Sequence, residues 1–225
     1  MKYFIVTIFF LGTLLASCSP NRGALKLEGK VIDRDSDVPI PGRTIIVLTA
    51  KTVADFDSGY VIGHIVTDSL GGFSYNLQKV RNVSFYNFLV VGDNSYASSD
   101  NVLGLTELKR NGKFLSFKIR ELTDLSIKIV SLSKQPNNDI LYVNWKSDKI
   151  DGKTLYPYKV ENNGLITTNR LKWAGGNINS EIKTKVFVNK KTVIKFELFR
   201  EGNYKEFVVQ AFCKADVNNT VLFKY

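Results

Sequence analysis

The chain has 225 residues, 44% hydrophobic and 12% aromatic, and its 31 lysines and arginines outweigh 21 acidic residues to give a formal net charge of +10. One histidine and two cysteines exclude a disulfide framework and leave too few ligands for a conventional zinc centre. The basic surplus is uneven, with 13 basic against 11 acidic residues over 19–122 and 17 against 10 over 123–225.

Met1-Lys2 is followed by an almost unbroken apolar run, Tyr3 to Leu15, relieved only by Thr7, Gly12 and Thr13. As a helix rising about 1.5 Å per residue the run reaches roughly 20 Å. A bilayer's hydrocarbon core is about 30 Å thick, so the run is short for a membrane span. Its length and basic start fit a secretory signal peptide over residues 1–17. It ends in Leu15-Ala16-Ser17-Cys18, small residues ahead of a cysteine. This resembles the lipobox of bacterial lipoproteins. The resemblance implies cleavage before Cys18, a diacylglycerol on its thiol and a third acyl chain on the freed amine. Several chains together hold a protein at a membrane, at about 0.8 kcal/mol per buried CH₂.

Residues 18–24 then read as a polar tether. Ser19 is not the aspartate that often retains lipoproteins in the inner membrane, and Ser19 to Gly23 lacks the acidic cluster common in Bacteroidetes-type surface lipoproteins. The expected location is the outer membrane, facing the periplasm. An exported protein rarely meets nucleic acid. Its basic half therefore points to anionic envelope material: lipid headgroups, an acidic glycan or an acidic protein. With Cys18 acylated, Cys213 has no disulfide partner, and its period-two spacing with Phe207, Val209 and Ala211 predicts a buried thiol.

From residue 25 onward the pattern is that of strands. Gly29-Lys30-Val31-Ile32-Asp33, Pro39 to Val47 with Pro41-Gly42, then Gly63 and Thr67-Asp68 with Gly72-Phe73-Ser74 form one recognisable series. It resembles the carboxypeptidase regulatory-like, transthyretin-like family over roughly residues 25–92. That resemblance implies a seven-stranded Greek-key sandwich and an accessory role without activity of its own. The insert Lys51 to Tyr60 and the segment Ser84 to Leu108 depart from the pattern. Val102 to Arg110 has the spacing of one short helix. Leu115, Phe117 and Ile119 then alternate with polar residues, as do Leu125, Ile127 and Ile129, and Ile194, Phe196 and Leu198.

These signals predict an all-β chain of two tandem sandwiches, over 25–122 and 123–225, with the boundary near Glu121 to Asp124. The second is similar in outline to immunoglobulin-like or fibronectin-like sandwiches, with Trp145 closing an inward Leu141-Val143-Trp145 face.

Catalytic and cofactor signals are weak. His64 sits in a strand without a ligand or triad partner, and no Gly-x-Ser-x-Gly elbow accompanies it. Gly152-Lys153-Thr154 lacks the earlier glycine of a phosphate loop, and Pro157 blocks the helix such a loop requires. Ser131 to Lys134 matches Ser-x-x-Lys without its companion motifs. Asp33 to Asp37 starts like a calcium loop, but Val38 stands where glycine is needed and Thr44 where a bidentate glutamate belongs.

No enzyme activity, metal or cofactor is therefore expected. Two site candidates remain besides Cys18. Tyr156, Tyr158 and Trp173, with Lys153, Lys159 and Lys172 nearby, are aromatics in apparent loops that would stack on an acidic glycan. Asp68-Ser69-Leu70 resembles the O-glycosylation acceptor of Bacteroidetes-type exported proteins, which would place a sugar on Ser69. The function expected is binding or assembly through protein contacts, with carbohydrate recognition as the alternative.

Overall fold

The computed structural model describes residues 24–50, 52, 59–110, 114–132, 138–147, 157–160, 165–167, 170–175 and 177–225. The chain divides into two compact units. One holds the chain up to Ile32 with Val38–Val91 and Ser99–Phe117, and the other holds Asp33–Asp37, Gly92–Ser98 and Lys118–Tyr225. The fold is all-β, with four sheets.

The first unit is built from β1 (Leu25–Asp33), β2 (Thr44–Ala50), β3 (Tyr60–Val66), β4 (Gly72–Leu77), β5 (Phe85–Val90), β6 (Ser99–Gly104) and β7 (Phe114–Ile119). Its sheets run β4-β1-β7 and β3-β2-β5-β6. A one-and-a-half-turn helix, α1 (Leu105–Arg110), follows β6. The helical spacing from Val102 thus takes hold only at Leu105, because Val102 to Gly104 pair with Phe85 to Asn87 on β5.

Alternation sends Leu27 and Val31 inward from one sheet and Ile45, Val47 and Phe88 inward from the other. Phe88 meets Phe117 at 5.5 Å between ring centroids, joining the layers. Gly29 lets β1 pass against the Phe73 ring, where a Cβ would come within 2.6 Å of the ring tip. The β3–β4 turn is closed by Asp68, whose Oδ1 accepts the Leu70 and Gly72 amides at 2.8 Å each, with Gly71 at φ +71°. Thr67 Oγ1 accepts the Arg43 amide at 2.7 Å and donates to the Ile40 carbonyl at 3.2 Å.

The second unit carries β8 (Leu122–Val130), β9 (Ile140–Ser147), β10 (Pro157–Val160), β11 (Leu165–Thr167), β12 (Arg170–Ala174), β13 (Asn179–Phe187), β14 (Lys191–Arg200), β15 (Asn203–Phe212) and β16 (Asn219–Lys224). Its sheets run β10-β13-β8-β16 and β11-β12-β9-β14-β15. Leu125, Ile127 and Ile129 of β8 and Ile194, Phe196 and Leu198 of β14 face each other in one core with Leu141, Val143, Leu171 and Ile182. Phe196 stacks on Phe223 of β16 at 3.9 Å, sheet to sheet. Trp145 is half-buried against this core, on the inward face its spacing predicts.

The β14–β15 hairpin turns on two residues, Glu201 (φ 50°) and Gly202 (φ 78°). Two successive positive φ values are the geometry that matches the twist of antiparallel strands. β16 does not follow the hairpin pattern. It crosses to the other sheet and lies parallel to β8, with Asn219 beside Leu125 and Lys224 beside Val130.

Candidate interaction surface

Cys18 and Tyr156 lie outside the described residues, as do Lys153 and the Gly152-Lys153-Thr154 segment. Tyr158 falls on β10. Ser69 is exposed at the tip of the β3–β4 turn. Trp173 is a correction. It is not in a loop but on β12, opposite Leu141, and only 4% exposed within the core of the second unit. Its ring has no face to offer a sugar. Burial follows from register: Leu171 and Trp173 point inward, while Arg170 and Lys172 point out.

His64 is an exposed residue of β3. The acidic run Asp33 to Asp37 is occupied by the protein's own groups. Asp33 Oδ1 accepts from the Asp35 amide, the Ser36 amide and the Ser36 hydroxyl. Asp35 pairs with Lys190 at 2.7 Å, and Asp37 with Lys118 at 2.7 Å. Among the described residues no group of three or more histidine, cysteine or acidic side chains is placed to hold a metal. A cleft of about 420 Å³ is lined by Glu121, Asp124, Asp216 and Lys185. Burial, then the charges of Asp33 and Asp216, push the Glu121 carboxyl above its usual range. Lys185 meets Asp124 there at 3.0 Å.

The surface with most chemistry is the outward face and free edge of the five-stranded sheet. β15 closes that sheet, and among the described residues no strand pairs with its far side. It is ten residues long, and Val208 and Phe212 are 53% and 66% exposed. Phe207 points inward against Phe223, with ring centroids 5.2 Å apart, yet remains over a third exposed. The sandwich is thus only partly closed along this side.

On the outward face, Tyr142 of β9 carries the Arg170 guanidinium 3.9 Å above its ring centroid and the Lys172 ammonium at 5.7 Å. Tyr142 meets Phe199 edge-on at 5.9 Å, and Phe199 lies 4.9 Å from Tyr204. Beside them Glu197 receives Arg170 at 2.8 Å and Lys195 at 2.9 Å, and Lys195 also reaches Glu206 at 2.9 Å. These bonds hold the Lys195 ammonium above its ordinary pKa. The Tyr204 hydroxyl donates to Glu206 at 2.8 Å, which raises the phenol's pKa. The Lys195 and Tyr204 bonds together draw the Glu206 carboxyl below its usual range.

Sequence reasoning passed over Tyr142, Arg170, Phe199 and Tyr204 because it followed the inward phase of each strand. For two of them the signal was there: Tyr142 stands between Leu141 and Val143, and Phe199 follows Leu198, all three read as inward.

No known protein family matches the chain, and no curated protein does. Several solved structures are similar. The shaft pilin SpaA from Lactobacillus rhamnosus GG matches with 14% identity and a TM-score of 0.37, over 89% of this chain and 97% of the pilin. The major pilin SpaD from Corynebacterium diphtheriae matches with 10% identity and a TM-score of 0.36, over 84% and 64%. The Bacillus anthracis TIE protein matches with 13% identity and a TM-score of 0.34, over 90% and 33%. Similarity of this degree assigns no function.

Proposed function

We propose that this chain is a non-catalytic envelope lipoprotein, anchored by acyl chains on Cys18, that works by pairing the free edge of β15 with a strand of a protein partner. One observation carries the reading: a ten-residue edge with Val208 and Phe212 exposed. Natural sheets usually blunt such an edge with charge, proline, a bulge or a covering loop. β15 contains no proline, and beyond Glu206 its remaining six residues, Phe207 to Phe212, carry no charge. Strand addition uses an edge of this kind, with main-chain hydrogen bonds for affinity and alternate side chains for choice of partner.

The anchoring part rests on Leu15-Ala16-Ser17-Cys18. A photo-crosslinking residue at Gln210, in cells making the full chain, tests the edge. A discrete crosslinked species is expected, and it should vanish when Val208→Lys and Phe212→Lys are added. A crosslinking pattern that these charges leave unchanged overturns the edge reading. For the anchor, metabolic labelling with palmitate is expected to mark the wild type and not Cys18→Ser. Equal labelling of both overturns it.

A further inference from the structure

The outward face of the five-stranded sheet takes in Val208 and Phe212 of β15 and adds rings and cations that the edge itself lacks. Register fixes which side chains share that face. Across the strands run Phe199 and Tyr204, then Lys172, Tyr142, Glu197 and Glu206, then Asn144, Lys195 and Val208, with Arg170 beside Asn144. Lys146, Val193 and Gln210 follow, and Lys191 and Phe212 complete it. From Phe199 to Lys191 along β14 this spans about 26 Å at 3.3 Å per residue.

Five cations, Lys146, Arg170, Lys172, Lys191 and Lys195, share the face with two carboxylates. Both carboxylates are already matched, Glu197 by Arg170 and Lys195, and Glu206 by Lys195. An incoming anion therefore meets Lys146, Lys172 and Lys191 as surplus positive charge. Phe199 and Tyr204 are 39% and 51% exposed and adjacent, so they present ring surface at one end of the strip. Asn144 stands between the row of Lys172 and that of Lys146, and Gln210 shares the row of Lys146, so amides suited to hydroxyl groups are interleaved with the surplus lysines.

We infer that this face binds an acidic polysaccharide, its apolar ring faces resting on Phe199 and Tyr204 and its carboxylates answered by Lys172 and Lys146. A protein partner is disfavoured by the layout. The exposed rings stand at the two ends of the face, Phe199 and Tyr204 at one and Phe212 at the other, with charged rows and the small aliphatic Val208 between them. A protein hot spot instead centres on a large anchor such as Trp or Tyr and seldom on Val. A linear polyanion with alternating apolar and charged surfaces fits a strip of this kind. The inference does not need the edge pairing: it rests on Phe199, Tyr204, Lys146 and Lys172, whereas the edge reading rests on the main chain of β15 with Val208 and Phe212.

The test is affinity gel electrophoresis of the whole protein through gels containing polygalacturonate, alginate or hyaluronate, with neutral dextran and a single-stranded DNA oligonucleotide as comparisons. Retardation is expected in at least one acidic polysaccharide and not in dextran. Phe199→Ala with Tyr204→Ala, and separately Lys146→Gln with Lys172→Gln, should each weaken it at least tenfold. Emission from the half-buried Trp145 and the buried Trp173 reports that each variant is folded. Four outcomes overturn the inference: no retardation by any of the three; retardation that dextran reproduces; retardation that folded ring variants retain in full; or DNA binding of equal strength, which marks a general polyanion surface.

Discussion

Glu197 and Glu206 stand directly opposite each other on β14 and β15, two carboxylates in register on one exposed face. Like charges so placed repel. The Lys195 ammonium resolves the conflict by lying 2.9 Å from an oxygen of each.

Replacing Lys195 by Met should therefore lower the melting temperature at pH 7 by more than an exposed lysine ordinarily would. The pH dependence has a definite sign. The Lys195 and Tyr204 bonds hold the Glu206 carboxyl below its ordinary range in the folded protein. Its contribution is thus complete above the ordinary carboxylate pKa and disappears as pH falls through the folded value. Melts of wild type and variant should differ at pH 7 and converge toward pH 3. A gap that widens on acidification contradicts the assignment.

Asp139 makes the strongest case for a buried ion pair. Its carboxylate is 1% exposed and receives Arg200 Nε at 3.0 Å and Nη2 at 2.7 Å, a two-pronged contact. Asp139→Ala leaves the guanidinium without its partner and should destabilise the second unit by about 2–3 kcal/mol. Arg200→Lys keeps the charge but not the fork, so it should lose a smaller amount. Denaturant titration of the two variants gives the ordering.

Two glycines separate steric from conformational need. At Gly29 a methyl group would meet the Phe73 ring and the Leu115 carbonyl oxygen. Phe73 is stacked on Phe117 at 5.6 Å and has little room to withdraw. Gly29→Ala should cost about 1–3 kcal/mol, the usual range for overpacking. At Gly202 nothing lies within 4 Å of the added carbon, and only the φ of 78° opposes it, a penalty of about 1 kcal/mol. Equal losses at the two sites would contradict this distinction.

Cys213 should be silent to thiol reagents. It is 1% exposed in the core of the second unit, and burial raises its thiol pKa. In a Cys18→Ser background, an aromatic disulfide reagent at pH 8 should release no chromophore until denaturant is added, and then one equivalent. Prompt reaction of the folded protein would show that the core opens there.

Much of the fold is legible because burial in a sandwich repeats every second residue. Leu125, Ile127 and Ile129, and Ile194, Phe196 and Leu198, were readable as inward faces from spacing alone, and they are. Trp173 was not. Ala174 and the glycines after it look like a loop, and a five-residue strand shows too few alternations to overrule them. What buries the ring is β9 alongside and the opposite sheet, and no local pattern carries that information. The pairing of β16 with β8 is also non-local, joining residues about 94 positions apart at Asn219 and Leu125. The aromatic and basic outward face escaped for another reason: a search for core positions discards the opposite phase, where an exposed surface writes its chemistry.

The parallel ladder between β8 and β16 has a mechanical consequence. The unit's opening strand and its final described strand point the same way, in register from Asn219 beside Leu125 to Lys224 beside Val130. Tension applied at the start of one and the end of the other drags them lengthwise past each other. The cross-strand bonds then share the load and must rupture together, instead of parting one at a time like a zip. This sandwich is thus strung to resist stretching along its own chain.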